Sequence, residues 1–150
     1  SVLALLPEPL LTRGVQPVGR LDEDTTGLLI LTDDGPLIHR LTSPRHQVAK
    51  VYRVGVRHPV DDDQVAALLA GVVLRDAPEP VSAAACARIG ERELELTITE
   101  GRYHQVKRML AAAGNRVESL RRIAVGPVRL PDDLPEGQWR WLEAGELAGM

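Results

Sequence analysis

The 150-residue sequence contains no phenylalanine, and it has only two tryptophans, two tyrosines and one cysteine. Its core has to be built from leucine, valine, isoleucine and alanine, so an aromatic side chain in such short supply is expected to have a specific task. The single cysteine, Cys86, cannot form an internal disulfide. Its apolar neighbours, residues 81 to 87, predict that it is a small side chain of the core.

Long apolar runs are absent as well. A membrane-spanning helix needs about 18 or more consecutive apolar residues, and the sequence has no such run. No signal peptide precedes the domain, so we expect a cytoplasmic protein. Apolar residues make up 44% of the sequence and charged residues 26%, which is typical of a globular protein with one domain, or with two small lobes that share one core.

An excess of basic residues is also lacking, since the formal net charge is −3 at pH 7. That value argues against a nucleic-acid partner, but the distribution of the charge argues for one. Residues 40 to 58 contain five basic residues and no acidic one, and residues 102 to 122 contain six basic residues and one acidic residue. Because the acidic residues are concentrated elsewhere, the sequence predicts a basic face on an acidic protein.

The hydrophobic pattern predicts short strands and helices in an irregular order. Strands are expected at residues 15–18, 28–31, 51–56 and 94–98 and within 117–130, and helices at 37–41, 61–70 and 103–113. Strands and helices do not alternate regularly along the chain. We therefore expect an α+β fold with a mixed, mostly antiparallel sheet and flanking helices, rather than a doubly wound parallel sheet.

Acidic residues are dense in the stretch G-R-L-D-E-D-T-T-G-L-L-I-L-T-D-D-G, residues 19 to 35. Asp22, Asp24 and Thr26 have the spacing of calcium ligands, but Ile30 and Asp33 stand where a calcium loop needs an oxygen ligand and a bidentate glutamate. The flanking helices of such a loop are not predicted either. A plainer interpretation is that Asp22 caps a turn and that the later acids are solvated.

A second cluster, E-G-R-Y-H-Q-V-K-R-M, covers residues 100 to 109. If the helix begins at Tyr103, then His104, Lys107 and Arg108 share one face of it. Basic residues in the first turns of a helix oppose its dipole, which suggests an anionic partner; a chance basic face is the alternative. The four histidines lack metal-ligand spacing and no cysteine pair accompanies them, which argues against zinc.

These two clusters resemble motifs of one enzyme family. The stretch around Asp22 resembles the signature of the catalytic aspartate in bacterial ribosomal pseudouridine synthases. Three more stretches resemble the same family in the same order: S-P-R-H at residues 43–46, K-V-Y at 50–52, and the cluster at 100–109. The extended run G-R-Y-H-Q-V-K-R-M-x-A-A-x-G-N is most similar to the branch that acts on 16S RNA. The resemblance spans residues 15 to about 130.

The resemblance implies an activity and an organisation for the chain. It implies the synthase catalytic fold over residues 1–150, without the family's first strand and its S4-type RNA-binding domain. The implied reaction converts a uridine of ribosomal RNA, in the 16S RNA, to pseudouridine, with no metal or organic cofactor. The implied partner is ribosomal RNA or a small-subunit assembly intermediate, and we expect a monomer that does not bind membranes. The alternatives are a non-catalytic RNA-binding module and a synthase for 23S RNA.

The resemblance also implies roles for single residues. Asp22 matches the catalytic aspartate, Tyr52 the tyrosine that stacks on the target uracil, and Arg20 an arginine near the flipped nucleotide. Lys107 matches a basic residue that pairs with the aspartate, so we expect its ammonium within about 4 Å of the Asp22 carboxylate. The motif residues expected to contact RNA are His104, Gln105, Lys107 and Arg108. For Arg108 the expected partner is a phosphate or a structural carboxylate.

Overall fold

The computed structural model describes residues 1–148, which form four α-helices and eight β-strands. The helices are α1 (Glu8–Thr12), α2 (Gly35–Thr42), α3 (Asp62–Ala70) and α4 (Gln105–Ala112). The strands are β1 (Gln16–Pro17), β2 (Thr26–Gly27), β3 (Leu31–Thr32), β4 (Lys50–Val56), β5 (Ala85–Gly90), β6 (Glu93–Ile98), β7 (Val117–Val125) and β8 (Val128–Arg129).

Six of the strands form one mixed sheet in the order β2-β7-β4-β6-β5, with β8 paired to β7. Only the pair β2–β7 is parallel, and the other pairs are antiparallel. Strands β1 and β3 form a separate antiparallel pair. This arrangement confirms the predicted α+β fold with a mixed, mostly antiparallel sheet.

Two hydrophobic clusters hold the elements together. In the larger one, alternate residues of β4 and β6 pack against α3 and α4, with Leu68, Leu94, Leu96, Met109 and Leu110 fully buried. The smaller cluster joins the loop that carries Leu28 and Ile30 to α2 and to the end of β7. As the composition requires, aliphatic side chains build both clusters, and burying each of the larger ones contributes about 1.5–3 kcal/mol.

The predicted elements are found with small changes of boundary. Helix α3 is capped by Asp61, whose carboxylate accepts a hydrogen bond from the Gln64 backbone N–H at 2.8 Å, and it ends at Gly71. The strand predicted at residues 28–31 is shorter, since only Leu31 belongs to β3. Leu28 and Ile30 are nevertheless buried, as the apolar run implied. None of the described helices has the apolar length that a membrane span requires.

Strand β5 was not predicted, because its residues show no alternation of apolar and polar side chains. It forms by pairing with β6, which places Cys86 opposite Leu96. Cys86 is only partly buried, but it packs against the larger core cluster as predicted. Burial raises the pKa of its thiol above the ordinary value.

Gly27 allows a close approach between β2 and β7. Its φ is +112°, and a Cβ at this position would lie 2.6 Å from the backbone nitrogen of Arg122 on β7. The next residue is held by the same arginine: the Leu28 N–H donates to the Arg122 carbonyl at 2.8 Å, and the Leu28 carbonyl accepts from Arg122 Nε at 3.0 Å. A glycine is therefore required where the loop that contains Asp22 joins the sheet.

We predict that Gly27→Ala lowers the free energy of unfolding by about 3 kcal/mol or more, because the methyl group would collide with backbone and because φ is positive. Urea unfolding measures this change. Gly35→Ala is the matched control, since Gly35 begins α2 with no atom within 4 Å of an added Cβ. Equal stabilities for the two variants would contradict the close approach at Gly27.

Candidate active site

Asp22 lies in a tight turn that leads into β2. The Asp22 carbonyl accepts a hydrogen bond from the Thr25 N–H at 2.9 Å, which turns the chain before Thr26 and Gly27 pair with β7. The Thr25 side chain is buried, and its hydroxyl oxygen has no hydrogen-bond partner among the described residues. The turn leaves the Asp22 side chain 40% exposed and therefore open to a substrate.

Helix α4 begins two residues later than the sequence predicted. Tyr103 and His104 precede it, and His104 adopts a left-handed conformation with φ of 47°. Gln105 explains the later start. Its side chain is buried, its Oε1 accepts from the Arg102 N–H at 3.1 Å, and its Nε2 donates to Glu100 at 3.4 Å. The expectation that His104 shares a helix face with Lys107 and Arg108 is therefore wrong.

The turn at Asp22 and the start of α4 meet at one place. His104 Nε2 lies 3.7 Å from Asp22 Oδ2, and Lys107 Nζ lies 2.6 Å and 2.7 Å from the two carboxylate oxygens of Asp24. Two clusters that are distant in the sequence thus come together, as expected. The imidazole next to Asp22 carries a positive charge when it is protonated.

The partner expected for Lys107 is corrected by these distances. Lys107 pairs with Asp24 and not with Asp22, whose nearest cationic group is His104. The reason is geometric: the left-handed backbone places His104 ahead of the helix, beside Asp22, while Lys107 projects from the first turn towards the next carboxylate of the loop. The hydrogen bond from Lys107 lowers the pKa of Asp24 below its ordinary value, although burial opposes this.

Arg108 also has a carboxylate partner. It forms an ion pair with Asp76 and donates a second hydrogen bond to the Tyr103 carbonyl at 2.8 Å. The guanidinium lowers the pKa of Asp76 below its ordinary value. Of the two partners expected for Arg108, the structure shows the structural carboxylate. Carboxylates of the chain itself thus neutralise the basic beginning of α4.

Tyr103 is a further candidate that sequence reasoning missed. Its ring stacks on His104 with the centroids 3.9 Å apart and an interplanar angle of 16°, and the residue is 74% exposed. An exposed aromatic ring next to the imidazole that contacts Asp22 is a surface on which a base can stack. The rarity of aromatic residues in the sequence was the signal that could have identified it.

Tyr52 and Arg20 lie near the same loop but make no hydrogen bond or ion pair with Asp22 within residues 1–148. Tyr52 is partly buried on β4 and packs against the larger core cluster. Arg20 is exposed and lines a groove of about 830 Å³ whose wall includes Trp139 and Trp141. Gln105, which was also expected to contact RNA, is buried and uses its amide group inside the protein.

Two cationic residues close to Tyr52, on β4 and on the neighbouring β7, were not predicted as site residues. Arg122 is 5% exposed and is the Cα partner of Tyr52 across the β4–β7 pair. Lys50, at the start of β4, is half-buried, and burial is the largest cause that lowers its pKa from the ordinary value. The positive charge of Arg122 lowers that pKa further, while Glu100 opposes the shift.

The geometry does not support a calcium loop. The segment directly before the Asp22 turn forms strand β1 and not a helix, Asp22 contacts the His104 imidazole, and Asp24 contacts the Lys107 ammonium. Within residues 1–148, no group of three or more histidine, cysteine, aspartate or glutamate side chains is arranged to hold a metal ion.

Most of the chain matches one known protein family. A family model described as RNA pseudouridylate synthase matches residues 2–112, about three-quarters of the chain. The chain belongs to this family. The match includes the Asp22 turn, β4 and all of α4, so the resemblance predicted from the sequence motifs is confirmed.

Known synthases match most or all of the chain. It is 45% identical to the ribosomal small subunit pseudouridine synthase A of Yersinia pestis, over 100% of this chain and 63% of that protein. It is 48% identical to the protein of the same name from Haemophilus influenzae, over 86% of this chain and 56% of that one. A crystal structure titled pseudouridylate synthase matches with a TM-score of 0.92 and 44% identity, over 97% of this chain and 63% of that chain. The chain thus spans about three-fifths of the length of these synthases.

The pairing of Lys107 with Asp24 leads to a prediction that nuclear magnetic resonance can check. In Lys107→Met, the pKa of Asp24 should rise towards its ordinary value of 3.8, because the hydrogen bond that lowers it is lost. Since the folded-state pKa is depressed, the stability that the pair contributes is present above pH 3.8 and is lost as the pH falls through the lowered value.

Arg108→Met is the control for this titration. It should leave the pKa of Asp24 unchanged and raise that of Asp76, whose shift depends on Arg108. The assignment of Lys107 to Asp24 fails if the Asp24 carboxylate titrates identically in the parent protein and in Lys107→Met.

Proposed function

We propose that this chain is the catalytic unit of a ribosomal RNA pseudouridine synthase and that Asp22 is its catalytic residue. The observation that carries the proposal is the meeting of Asp22 with His104 at the beginning of α4, at 3.7 Å, in a chain of the pseudouridylate synthase family. The Asp22 carboxylate is accessible, it sits in a turn anchored to the sheet through Gly27 and Leu28, and a titratable ring lies beside it.

The reaction needs little more than such a carboxylate. The bond between C1′ and N1 of the uridine breaks, the uracil turns, and a bond forms between C1′ and C5. The C5 proton is lost and N1 gains one, so the atoms balance without an added reactant. An ionised Asp22 can attack the sugar or remove a proton from it, and a protonated His104 would stabilise that charge. The chemistry requires neither a metal nor an organic cofactor.

The target nucleotide has to leave its stack before a carboxylate can reach its sugar. Aromatic faces lower the cost of that step, because a base–aromatic stack contributes about 1–3 kcal/mol. Tyr52 is our candidate for the stack on the target uracil, and the exposed ring of Tyr103 offers a second face beside Asp22. Arg20, exposed two residues before Asp22, is placed to contact the flipped nucleotide or its neighbour.

The substrate that we propose is the 16S RNA, free or in a small-subunit assembly intermediate, modified by a monomer. Two observations support it. Both relatives described above are named ribosomal small subunit pseudouridine synthase A, and the run from Gly101 to Asn115 resembles that branch of the family. Basic residues that are concentrated in two stretches of an otherwise acidic chain fit an RNA partner.

We predict that Asp22→Asn reduces pseudouridine formation on 16S RNA to less than about one-thousandth of the parent rate, because the amide cannot act as nucleophile or base. Carbodiimide labelling of the product RNA measures the reaction. RNA binding and the melting temperature should change little. Asp33→Asn is the matched control, since Asp33 belongs to the same acidic stretch but pairs with Arg13. Turnover of Asp22→Asn within a few-fold of the parent would exclude the proposed role.

For Tyr52 we predict a loss of RNA affinity in Tyr52→Ala, of about 1–3 kcal/mol, and no comparable loss in Tyr52→Phe, which keeps the stacking face. Fluorescence anisotropy with 16S RNA fragments measures the affinity. Tyr52→Ala should also melt at a lower temperature, because the ring packs against the larger core cluster. If Tyr52→Phe binds RNA as poorly as Tyr52→Ala, then the hydroxyl group matters and stacking is not the role of this residue.

A further inference from the structure

Within residues 1–148, Arg122 is a buried cation without a carboxylate partner. It is 5% exposed, and the hydrogen bond that its side chain makes within residues 1–148 runs from Nε to the Leu28 carbonyl at 3.0 Å. The ion pairs of the described residues do not include it. A guanidinium has five N–H donors, so most of the donor capacity of Arg122 is not used within residues 1–148, although the residue is largely removed from solvent.

A second cation lies close enough to Arg122 to interact with its charge. Lys50 is half-buried, and it too is missing from the ion pairs of residues 1–148. The one acid that acts on it is Glu100, whose carboxylate is already engaged by Arg102 at 3.9 Å and by Gln105 at 3.4 Å. Two like charges with so little compensation repel each other, and a bound anion would stabilise both of them.

The two cations lie between the parts of the candidate active site. On β7, Arg122 is paired with Gly27 of β2 on one side and with Tyr52 of β4 on the other. It therefore lies between the strand that follows the Asp22 turn and the strand that carries Tyr52. Lys50 begins β4, and its Nζ lies 3.8 Å from the position of a Cβ on Gly101, three residues before His104. An anion held by both cations would therefore lie beside a nucleotide that occupies the site.

We infer that Lys50 and Arg122 form a subsite for a phosphate group of the RNA backbone next to the target uridine. The inference rests on the proposed function for the identity of the anion. An arginine fork binds phosphate oxygens in a bidentate manner, and a lysine contributes a compact charge. Anchoring that phosphate fixes the sugar relative to Asp22, which makes Lys50 and Arg122 positioning residues for the reaction.

The salt dependence of RNA binding tests the subsite. Each phosphate that a protein neutralises on single-stranded RNA contributes about −0.7 to the slope of log K against log salt concentration. With a labelled oligouridylate as the probe, Lys50→Met should bind about tenfold more weakly than the parent at low salt. The slope of log K against log salt concentration should be smaller in magnitude for Lys50→Met than for the parent, by about 0.7. The variant should fold normally, because it loses no hydrogen bond or ion pair of the described residues and relieves repulsion with Arg122.

Two controls separate this role from a general effect of charge. Arg53→Met removes a cation from the same strand, but Arg53 is exposed and paired with Glu93 at 3.5 Å, so its slope should equal that of the parent. Arg122→Lys keeps the charge and loses the fork, so its affinity should fall while its slope stays at the parent value. A slope for Lys50→Met equal to that of Arg53→Met, or no binding of the oligouridylate by the parent at low salt, overturns the subsite.

The chemistry of the probe provides an independent readout. Replacing the phosphodiesters of the oligouridylate with uncharged methylphosphonates should weaken binding to the parent more than to Lys50→Met, because the variant has already lost one contact. Equal losses would mean that Lys50 does not contact a phosphate.

Failure of the subsite differs from failure of the proposed function. Parent protein that forms pseudouridine in 16S RNA, together with an unchanged slope for Lys50→Met, excludes the subsite and leaves the function in place. Parent protein that forms no pseudouridine, together with the smaller slope, excludes the activity and supports a phosphate subsite in an RNA-binding protein.

Discussion

The contact between Gly27 and the backbone of Arg122 decides where the rest of the site lies. A side chain at position 27 would push β2 away from β7. It would also break the hydrogen bonds that hold Leu28 to Arg122. Through that contact the turn containing Asp22 becomes an extension of the sheet. The same contact buries Arg122 between β2 and β4, where it faces Tyr52 across the strand pair. One backbone approach thus fixes the candidate catalytic residue, the candidate stacking residue and a buried cation relative to one another.

Charge neutralisation at the beginning of α4 is the second determinant. Cations in the first turn of a helix are unfavourable because the helix dipole is positive there. Asp24 and Asp76 neutralise Lys107 and Arg108, and Asp22 lies beside His104. The carboxylates of the Asp22 turn consequently lie against the beginning of the helix. Since Lys107 and Arg108 are compensated within the protein, Lys50 and Arg122 are better placed to bind an added anion.

Much of this arrangement could be predicted from the sequence, for reasons that differ between residues. Asp61 as a cap and the alternation of Leu94, Leu96 and Ile98 are local signals, and they predicted α3 and β6. The motif resemblance predicted that the Asp22 turn and the start of α4 lie close together. The partner of Lys107 could not be predicted, because it depends on the left-handed backbone of His104, which only the packing of Gln105 explains. The strand β5 and the burial of Arg122 depend on pairing between distant segments, and no local pattern reveals them.

The central claim is that a uridine is bound with its sugar against Asp22, between the turn and the start of α4. A structure of the Asp22→Asn variant in complex with a uridine-containing fragment of 16S RNA measures this most directly, because the inactive variant retains the unreacted nucleotide. We expect C1′ of a flipped uridine at about 3–3.5 Å from the side chain at position 22, the separation of a near-attack arrangement. We also expect the uracil on Tyr52. A complex in which the RNA follows another surface, with no ribose in contact with position 22, would contradict the claim.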